Sequence, residues 1–495
     1  MPHKKESERI SGIDTAWLRM ERPTNLMMIT GVMILSERLP YQRLREVIET
    51  RFLRHYPRFA QRAVQKAAGA FWEKDPHFDI GRHVLRIGLP GQADKSELER
   101  LASDLMSTPL DFSKPMWQFH LIEDYQGGSA VILRIHHCYA DGIALIRVLL
   151  SLTDTASDAL PAQIVEQDEE HAEDAGLFRR FFEPVDKVVH TTLKLGRELV
   201  EEGADIVMHP AHAFDYARNG ARLAKEIARI ALMSDDSRTR FKGELGVSKR
   251  VAWAEPLDLR EVKTIAKVLG GSVNDVLLAA VAGALRAYLV EQGDPIPENL
   301  QLRAIVPVNL RSQEKAARLG NFFGLVFLSL PVGIANPLER VYEIRQRMNE
   351  LKESYQPILA LGLLGTVGMG PNMLQQPVLN ILSRKASAVM TNVPGPAQAL
   401  YLGGSRLSEM MFWVPQSGQI GMGVSILSYN NRVHFGLMVD QKLVADPQAV
   451  IGRFAGEFEK LLLTVLMSPW GQEPDSRRIE HTLKALDGPE HDPKS

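Results

Sequence analysis

A run of β-favouring apolar residues, Val131 to Ile135, delivers two adjacent histidines to a short turn that closes on Asp141-Gly142. The run reads as a buried strand. That strand constrains the fold more than any other stretch, because it presents an imidazole at the mouth of a loop. A carboxylate four residues later is placed to return towards the ring or to brace the loop. Successive strand side chains point to opposite faces, so His136 and His137 are expected to do different jobs. One faces a pocket, and the other packs or hydrogen-bonds behind it. Gly142 accepts close backbone approach that a side chain would resist. A lone histidine here would read as a satisfied core residue. Two histidines followed by Asp-Gly favour chemistry, since imidazole, with an unperturbed pKa near 6.5, takes and returns protons near neutral pH.

The rest of the chain narrows the setting. At 495 residues it exceeds one ordinary core, and two domains are expected. A net charge of −2 gives no basic excess for nucleic acid. The single cysteine, Cys138, has no internal disulfide partner, which suits a reducing, cytoplasmic setting. The polar start Met1-Pro-His-Lys-Lys lacks the apolar stretch of a secretory signal. The apolar runs Phe322 to Ala335 and Ile358 to Gly370 are short of a bilayer span of ~20 residues, so membrane contact is expected to be peripheral.

In chain order, Ser11 and Asp14 open a helix containing Trp17, and Met27 to Leu35 suits a buried strand. Pro40 suits a first helical turn, ahead of Leu44, Val47, Ile48 and Phe52 at helical spacing. Ser96 with Glu99 makes a capping-box pattern before Leu98, Leu101 and Leu105. Pro115 to Ile122 reads as a strand pairing through Gly127-Gly128 with the histidine strand. Residues 154–175 are acidic and tether-like, and 177–233 alternate apolar and basic positions as amphipathic helices do. Such helices are expected either to pack over the protein or to meet a lipid surface. Gly270-Gly271 ends one helix and Ser272-Val-Asn274-Asp275 caps the next, whose first turn offers N–H groups to an oxyanion or phosphate. Val424 to Asp440 reads as a hairpin around Asn430-Asn431. The divisions expected are 1–160 and 246–472 as two halves, 161–245 as a linker, and 473–495 as a polar tail.

The pattern His-His-x-x-x-Asp-Gly resembles that of the CoA- and carrier-dependent acyltransferase superfamily, which includes chloramphenicol acetyltransferase and peptide-synthetase condensation domains. Lys249-Arg-Val-Ala-Trp253 followed by Asn274-Asp275-Val-Leu-Leu278 is similar to the bacterial wax ester synthase/diacylglycerol acyltransferase family in particular. Ile305 to Arg311, Leu319-Gly-Asn321-Phe-Phe-Gly324 and Thr391-Asn392-Val-Pro-Gly-Pro396 are family-like as well. Pro115-Met-Trp117 departs from the family's Pro-Leu-Trp only at its middle residue. The resemblance covers roughly residues 10 to 470.

The resemblance implies an α/β (α+β) protein of two similar halves, each a mostly antiparallel or mixed sheet with flanking helices, and an active-site tunnel between them. It implies an O-acyltransferase joining the acyl group of acyl-CoA to a long-chain alcohol or diacylglycerol. His137 would be the general base, His136 its support, and Asp141 an orienting group braced by Arg311 or Arg19. Asn274 is a candidate oxyanion or substrate contact, and Gly142, Asp275, Asn309 and Arg311 are candidate substrate-binding residues. Acyl-CoA is then a substrate, with no cofactor and no metal expected. Adjacent histidines on opposite faces make poor shared ligands, and no second Cys/His cluster completes a zinc set. No Gly-x-Ser-x-Gly elbow is present, which disfavours a serine acyl-enzyme. Strand alternation turns Cys138, a conceivable acyl acceptor, away from His137. Two other readings remain open at this point, a transferase for a carrier-bound or polyketide-like acceptor and a non-catalytic lipid-droplet-binding protein.

Overall fold

The computed structural model describes residues 7–66, 69–156, 232–309, 319, 321, 323–352 and 382–467. Two seven-stranded sheets organise it. The first runs, edge to edge, β5 (Val84–Arg86), β6 (Trp117–Tyr125), β7 (Gly128–His136), β2 (Met28–Leu35), β15 (Ser405–Trp413), β14 (Tyr401–Leu402) and β8 (Thr153–Asp154). All of its pairs are antiparallel except β5 with β6. Every residue of β7 is buried. Val131, Leu133 and Ile135 enter the main N-terminal core, and Ala130 and Ile132 enter a second cluster on the other face. The one charge in the run, Arg134, donates to the carbonyls of Leu105 and Thr108, each at 2.7 Å. These lie at the end of α3 (Lys95–Met106), where a cation offsets the helix dipole.

The second sheet runs β10 (Leu257–Asp258), β17 (Arg432–Asp440), β16 (Met422–Tyr429), β13 (Ala388–Pro394), β11 (Leu302–Asn309) and β12 (Phe323–Leu330). A further strand, β9 (Lys249–Trp253), also pairs with β17. This sheet is mixed, because β13 lies parallel to both β11 and β16. A small third sheet joins β1 (Ser7–Arg9), β4 (Gly69–Lys74) and β3 (Gln61–Lys66). The fold class is therefore the expected α/β arrangement of two sheets with helices. The halves are not separate in space, however. Strand β15 comes from the second half of the chain and pairs with β2 of the first, for example Met410 with Met33.

Helices cover the second sheet. α5 (Leu259–Val268) ends near Gly270, whose φ of +64° is the left-handed conformation that glycine adopts freely. α6 (Val273–Glu291) follows and packs against α8 (Gln448–Met467) and α7 (Pro337–Lys352). Its small-residue face has a specific use. A Cβ at Gly283 would lie 2.1 Å from Glu457 Oε2 and 2.5 Å from Arg340 Nη2, a buried ion pair that only glycine admits. By length and composition α6 could cross a membrane, but it is a core helix here.

Local turn chemistry is where sequence and structure meet most closely. The β6–β7 hairpin turns at Gln126 and Gly127, with φ of 48° and 83°. The β16–β17 hairpin turns at Asn430 and Asn431, with φ of 49° and 58°, as the Asn-Asn pair predicts. Two caps differ from expectation. Asp94, not Ser96, caps α3 and accepts from Glu97 N at 3.0 Å, while Ser96 donates its hydroxyl to that same carboxylate. Glu99 instead accepts the Trp253 N–H from β9. Pro40 stands just before the first turn of α2 (Tyr41–Val47). The amphipathic segment of the linker lies outside the described residues, apart from its last two positions.

Candidate active site

The turn after β7 separates the two histidines. His136 ends the strand, and its Nδ1 accepts the Cys138 N–H at 3.1 Å. Its Nε2 faces Glu21 Oε2 at 3.6 Å, so His136 holds the turn together from behind. His137 N donates to the Met27 carbonyl at 2.8 Å. Its ring stacks on Trp17 of α1 (Gly12–Met20), with centroids 4.0 Å apart and planes at 21°. Phe323 of β12 closes another side, 5.8 Å away. Burial between these rings pushes the His137 pKa down to about 4, against the opposing pull of the Asp141 carboxylate. At neutral pH the ring is uncharged and can accept a proton. Cys138 is wholly buried, and burial pushes its thiol well above the ordinary range, which leaves it a poor nucleophile.

Asn321 joins this cluster from the second half of the chain. Its Nδ2 donates to Asp14 Oδ1 at 2.7 Å and to the His137 carbonyl at 2.9 Å. Ser11 caps α1, accepting the Asp14 N–H at 3.1 Å. Burial raises the Asp14 carboxyl to about 6 despite the lowering effect of its Asn321 bond. The Ser11–Asp14 opening and the Gly-Asn-Phe-Phe segment were each legible in the sequence, but their meeting at His137 was not.

Asp141 is the N-cap of α4 (Gly142–Leu150), where its Oδ1 accepts the Ala144 N–H at 2.9 Å. This bond fixes the turn that carries His137. Arg311, one of the arginines expected to brace Asp141, lies outside the described residues. Gly142 opens the helix, and a Cβ there would stand at an ordinary 3.5 Å from Val414. An Asp141→Ala variant is expected to lose about 1 kcal/mol of stability, seen as a melting temperature about 1 °C lower. Asp141→Asn, which keeps the cap, is expected to melt close to wild type.

The second half contributes a cleft of about 210 Å³ between its sheet and its helices. The walls include Leu277, Leu278, Val326, Leu328, Met390 and Ile426, and its polar groups include Lys263, Asn274, Asn392 and Ser428. A reciprocal capping box takes up Ser272 and Asp275, so the Asp275 carboxylate is bound to the Ser272 N–H at 2.7 Å. Asn274 instead lines the cleft and accepts from Asn392 Nδ2 at 2.5 Å. Two family-like segments thus meet there. With its oxygen engaged, the Asn274 amide is left with N–H donors.

Cleft and histidine lie against opposite faces of one strand end. Val326 and Leu328 of β12 face the cleft, while Phe323 on the alternate face packs on His137. Val308 of β11 also lines the cleft, and the next residue, Asn309, pairs with Phe323.

The two sheets share a strand, a buried uncharged imidazole stands where β7 ends, and an apolar cleft lies across β12 from it. Among solved structures, the fold matches a wax ester synthase/diacylglycerol acyltransferase from Marinobacter aquaeolei VT8, with a TM-score of 0.63 and 21% identity over 93% of this chain and 100% of that one. It also matches the starter condensation domain of rhizomide synthetase, with a TM-score of 0.55 and 12% identity over 95% and 96%. The family model for the wax ester synthase/diacylglycerol acyltransferase catalytic domain matches residues 10–277, and that for the WS/DGAT C-terminal domain matches 319–462. A probable diacylglycerol O-acyltransferase of Mycobacterium tuberculosis is 30% identical over 388 residues, 76% of this chain and 77% of its own. The chain belongs to the wax ester synthase/diacylglycerol acyltransferase family, and it is an acyltransferase.

Proposed function

We propose that this enzyme esterifies a long-chain alcohol or diacylglycerol with the acyl group of acyl-CoA in one direct transfer, with His137 as general base. The observation that carries the reading is the uncharged His137 ring, walled by Trp17 and Phe323 where β7 ends on the turn to Asp141. The alcohol O–H gives its proton to Nε2 as its oxygen attacks the thioester carbon. Collapse of the tetrahedral intermediate breaks the C–S bond, and the imidazolium returns the proton to the leaving thiolate. A positioned base is worth ~10² to 10⁴ in rate. The apolar walls of the cleft suit the acyl chain, and the Asn274 amide suits the polar head of the thioester. Nothing in this sequence of steps calls for a cofactor or metal.

Wax ester and triacylglycerol are both insoluble in water, which supports a reaction at a membrane or lipid-droplet surface in contact with cytoplasmic acyl-CoA. The 177–233 segment supplies the amphipathic pattern for that contact. Thiol release from palmitoyl-CoA, with hexadecanol, with dioleoylglycerol and with neither, tests the reading. Acceptor-dependent release matched by ester product is expected. Thiol release without acceptor, or none at all, would contradict it. The cleft assignment has its own test. Val308→Trp is expected to reduce kcat/KM for palmitoyl-CoA about tenfold by displacing a few methylenes at ~0.8 kcal/mol each. Butanoyl-CoA, too short to need the cleft, is expected to lose far less.

A further inference from the structure

The position of Asn321 has a chemical consequence for the base. Its side-chain nitrogen faces two acceptors, Asp14 Oδ1 and the His137 carbonyl, which settles the orientation of the amide. The oxygen must therefore be the opposite end. That oxygen is buried and has no hydrogen-bond partner among the described residues. His137 Nδ1 is in the same condition. In histidine Nδ1 is the ring nitrogen nearer its own backbone, and it is the backbone carbonyl of His137 that Asn321 grips. An unused acceptor and an unused ring nitrogen therefore share one buried corner. The His137 carbonyl and the Asn321 side chain both favour a proton on the ring, in opposition to burial.

Resting on the reading of His137 as base, we infer that Asn321 is a positioning residue that selects the tautomer of the catalytic ring. Its Oδ1 accepts the Nδ1–H of His137, which leaves the lone pair on Nε2 to take the acceptor's proton. Catalytic hydrogen bonds of this kind are often long before substrate arrives and shorten in the complex. Asp14 acts one step further back, holding the nitrogen end of the amide so that the oxygen cannot swing away. The Asp141 carboxylate acts on the ring by its charge and caps α4 through the Ala144 N–H. Because Asn321 comes from the second half of the chain, the base is correctly set only when that segment is seated against α1.

The test is ¹⁵N NMR of histidine-labelled full-length protein, with the His137 signals assigned by their loss in His137→Ala. Wild type is expected to show a neutral ring protonated at Nδ1. Asn321→Leu is expected to move His137 largely to the Nε2–H form and to lower kcat about 10²-fold, with KM for palmitoyl-CoA within about threefold. Asp14→Ala leaves Asn321 in place and is expected to give a mixture of tautomers, which serves if Asn321→Leu does not fold. An unchanged tautomer in the Asn321→Leu and Asp14→Ala proteins would overturn the assignment, whatever their activity. Full turnover in folded His137→Ala would instead remove the general-base reading, and the NMR result would still decide what Asn321 does to the ring.

Discussion

His137→Ala is expected to reduce turnover with palmitoyl-CoA and acceptor by about 10²- to 10⁴-fold while leaving the melting temperature near or above that of wild type. The reason lies in what surrounds the ring. His137 is buried between Trp17 and Phe323, away from the bulk solvent that could supply a replacement base. Alanine removes a buried polar ring, and the hydrogen bonds of the turn, from His137 N to Met27 and from Asn321 to the His137 carbonyl, involve backbone atoms that alanine retains. His136→Ala should behave differently. It removes the acceptor for the Cys138 N–H, so it is expected to loosen the turn and lower stability along with rate. A small effect on turnover in folded His137→Ala protein would mean that another group takes the proton.

The second large effect is on stability, and it falls on a residue of a family-like segment. Lys249 opens the Lys-Arg-Val-Ala-Trp segment, but its Nζ donates to Asp440 Oδ2 at 2.6 Å and to the Gly246 carbonyl at 3.2 Å, with both ionic side chains buried. Lys249→Met is expected to destabilise the fold by about 3–5 kcal/mol, since it strands a buried carboxylate. Two backbone N–H donors, Gly246 and Lys442, stay with Asp440 and favour the lower end of that range. Burial lowers the Lys249 pKa in spite of its partner, so for the lysine desolvation outweighs the attraction within the pair. The double variant Lys249→Met/Asp440→Asn is therefore expected to recover much of the loss in urea denaturation. A Lys249→Met protein as stable as wild type but inactive would point instead to a role at the substrate.

What the sequence made legible follows from range. Strands, hairpins and caps are decided by residues within a few positions of one another, and these features stood out in Gly127, Asn430-Asn431 and Ser272-Asp275. Even there, Asp94 displaced Ser96 as the α3 cap because an aspartate two residues earlier starts the helix sooner, by accepting the Glu97 N–H. The His-His-x-x-x-Asp-Gly stretch announced the chemistry because strand, turn and helix start are contiguous. The surroundings of the base are not. Asn321 is 307 residues from Asp14 and 184 from His137, and periodicity carries no information at that distance. The entry of β15 into the first sheet escapes sequence reading for the same reason. The cleft is an intermediate case. Asn274 and Asn392 both lie in segments singled out beforehand, and only the fold shows that one accepts a hydrogen bond from the other.

The central claim is that the proton acceptor is a buried, neutral imidazole, and the pH dependence of kcat tests it most directly. Burial holds the folded-state pKa of His137 near 4, below the ordinary 6.5. The base therefore remains available as pH falls through 6.5, and activity attributable to it is lost only towards 4. The same shift means that His137 contributes stability which is present above 6.5 and lost between 6.5 and 4, so rates are to be read where the fold is intact by circular dichroism. The account predicts that the acid limb belonging to His137 lies well below 6.5. A limb at or above 6.5 that disappears in the residual activity of His137→Ala would show the ring to be solvated or paired with a charge, and would contradict it.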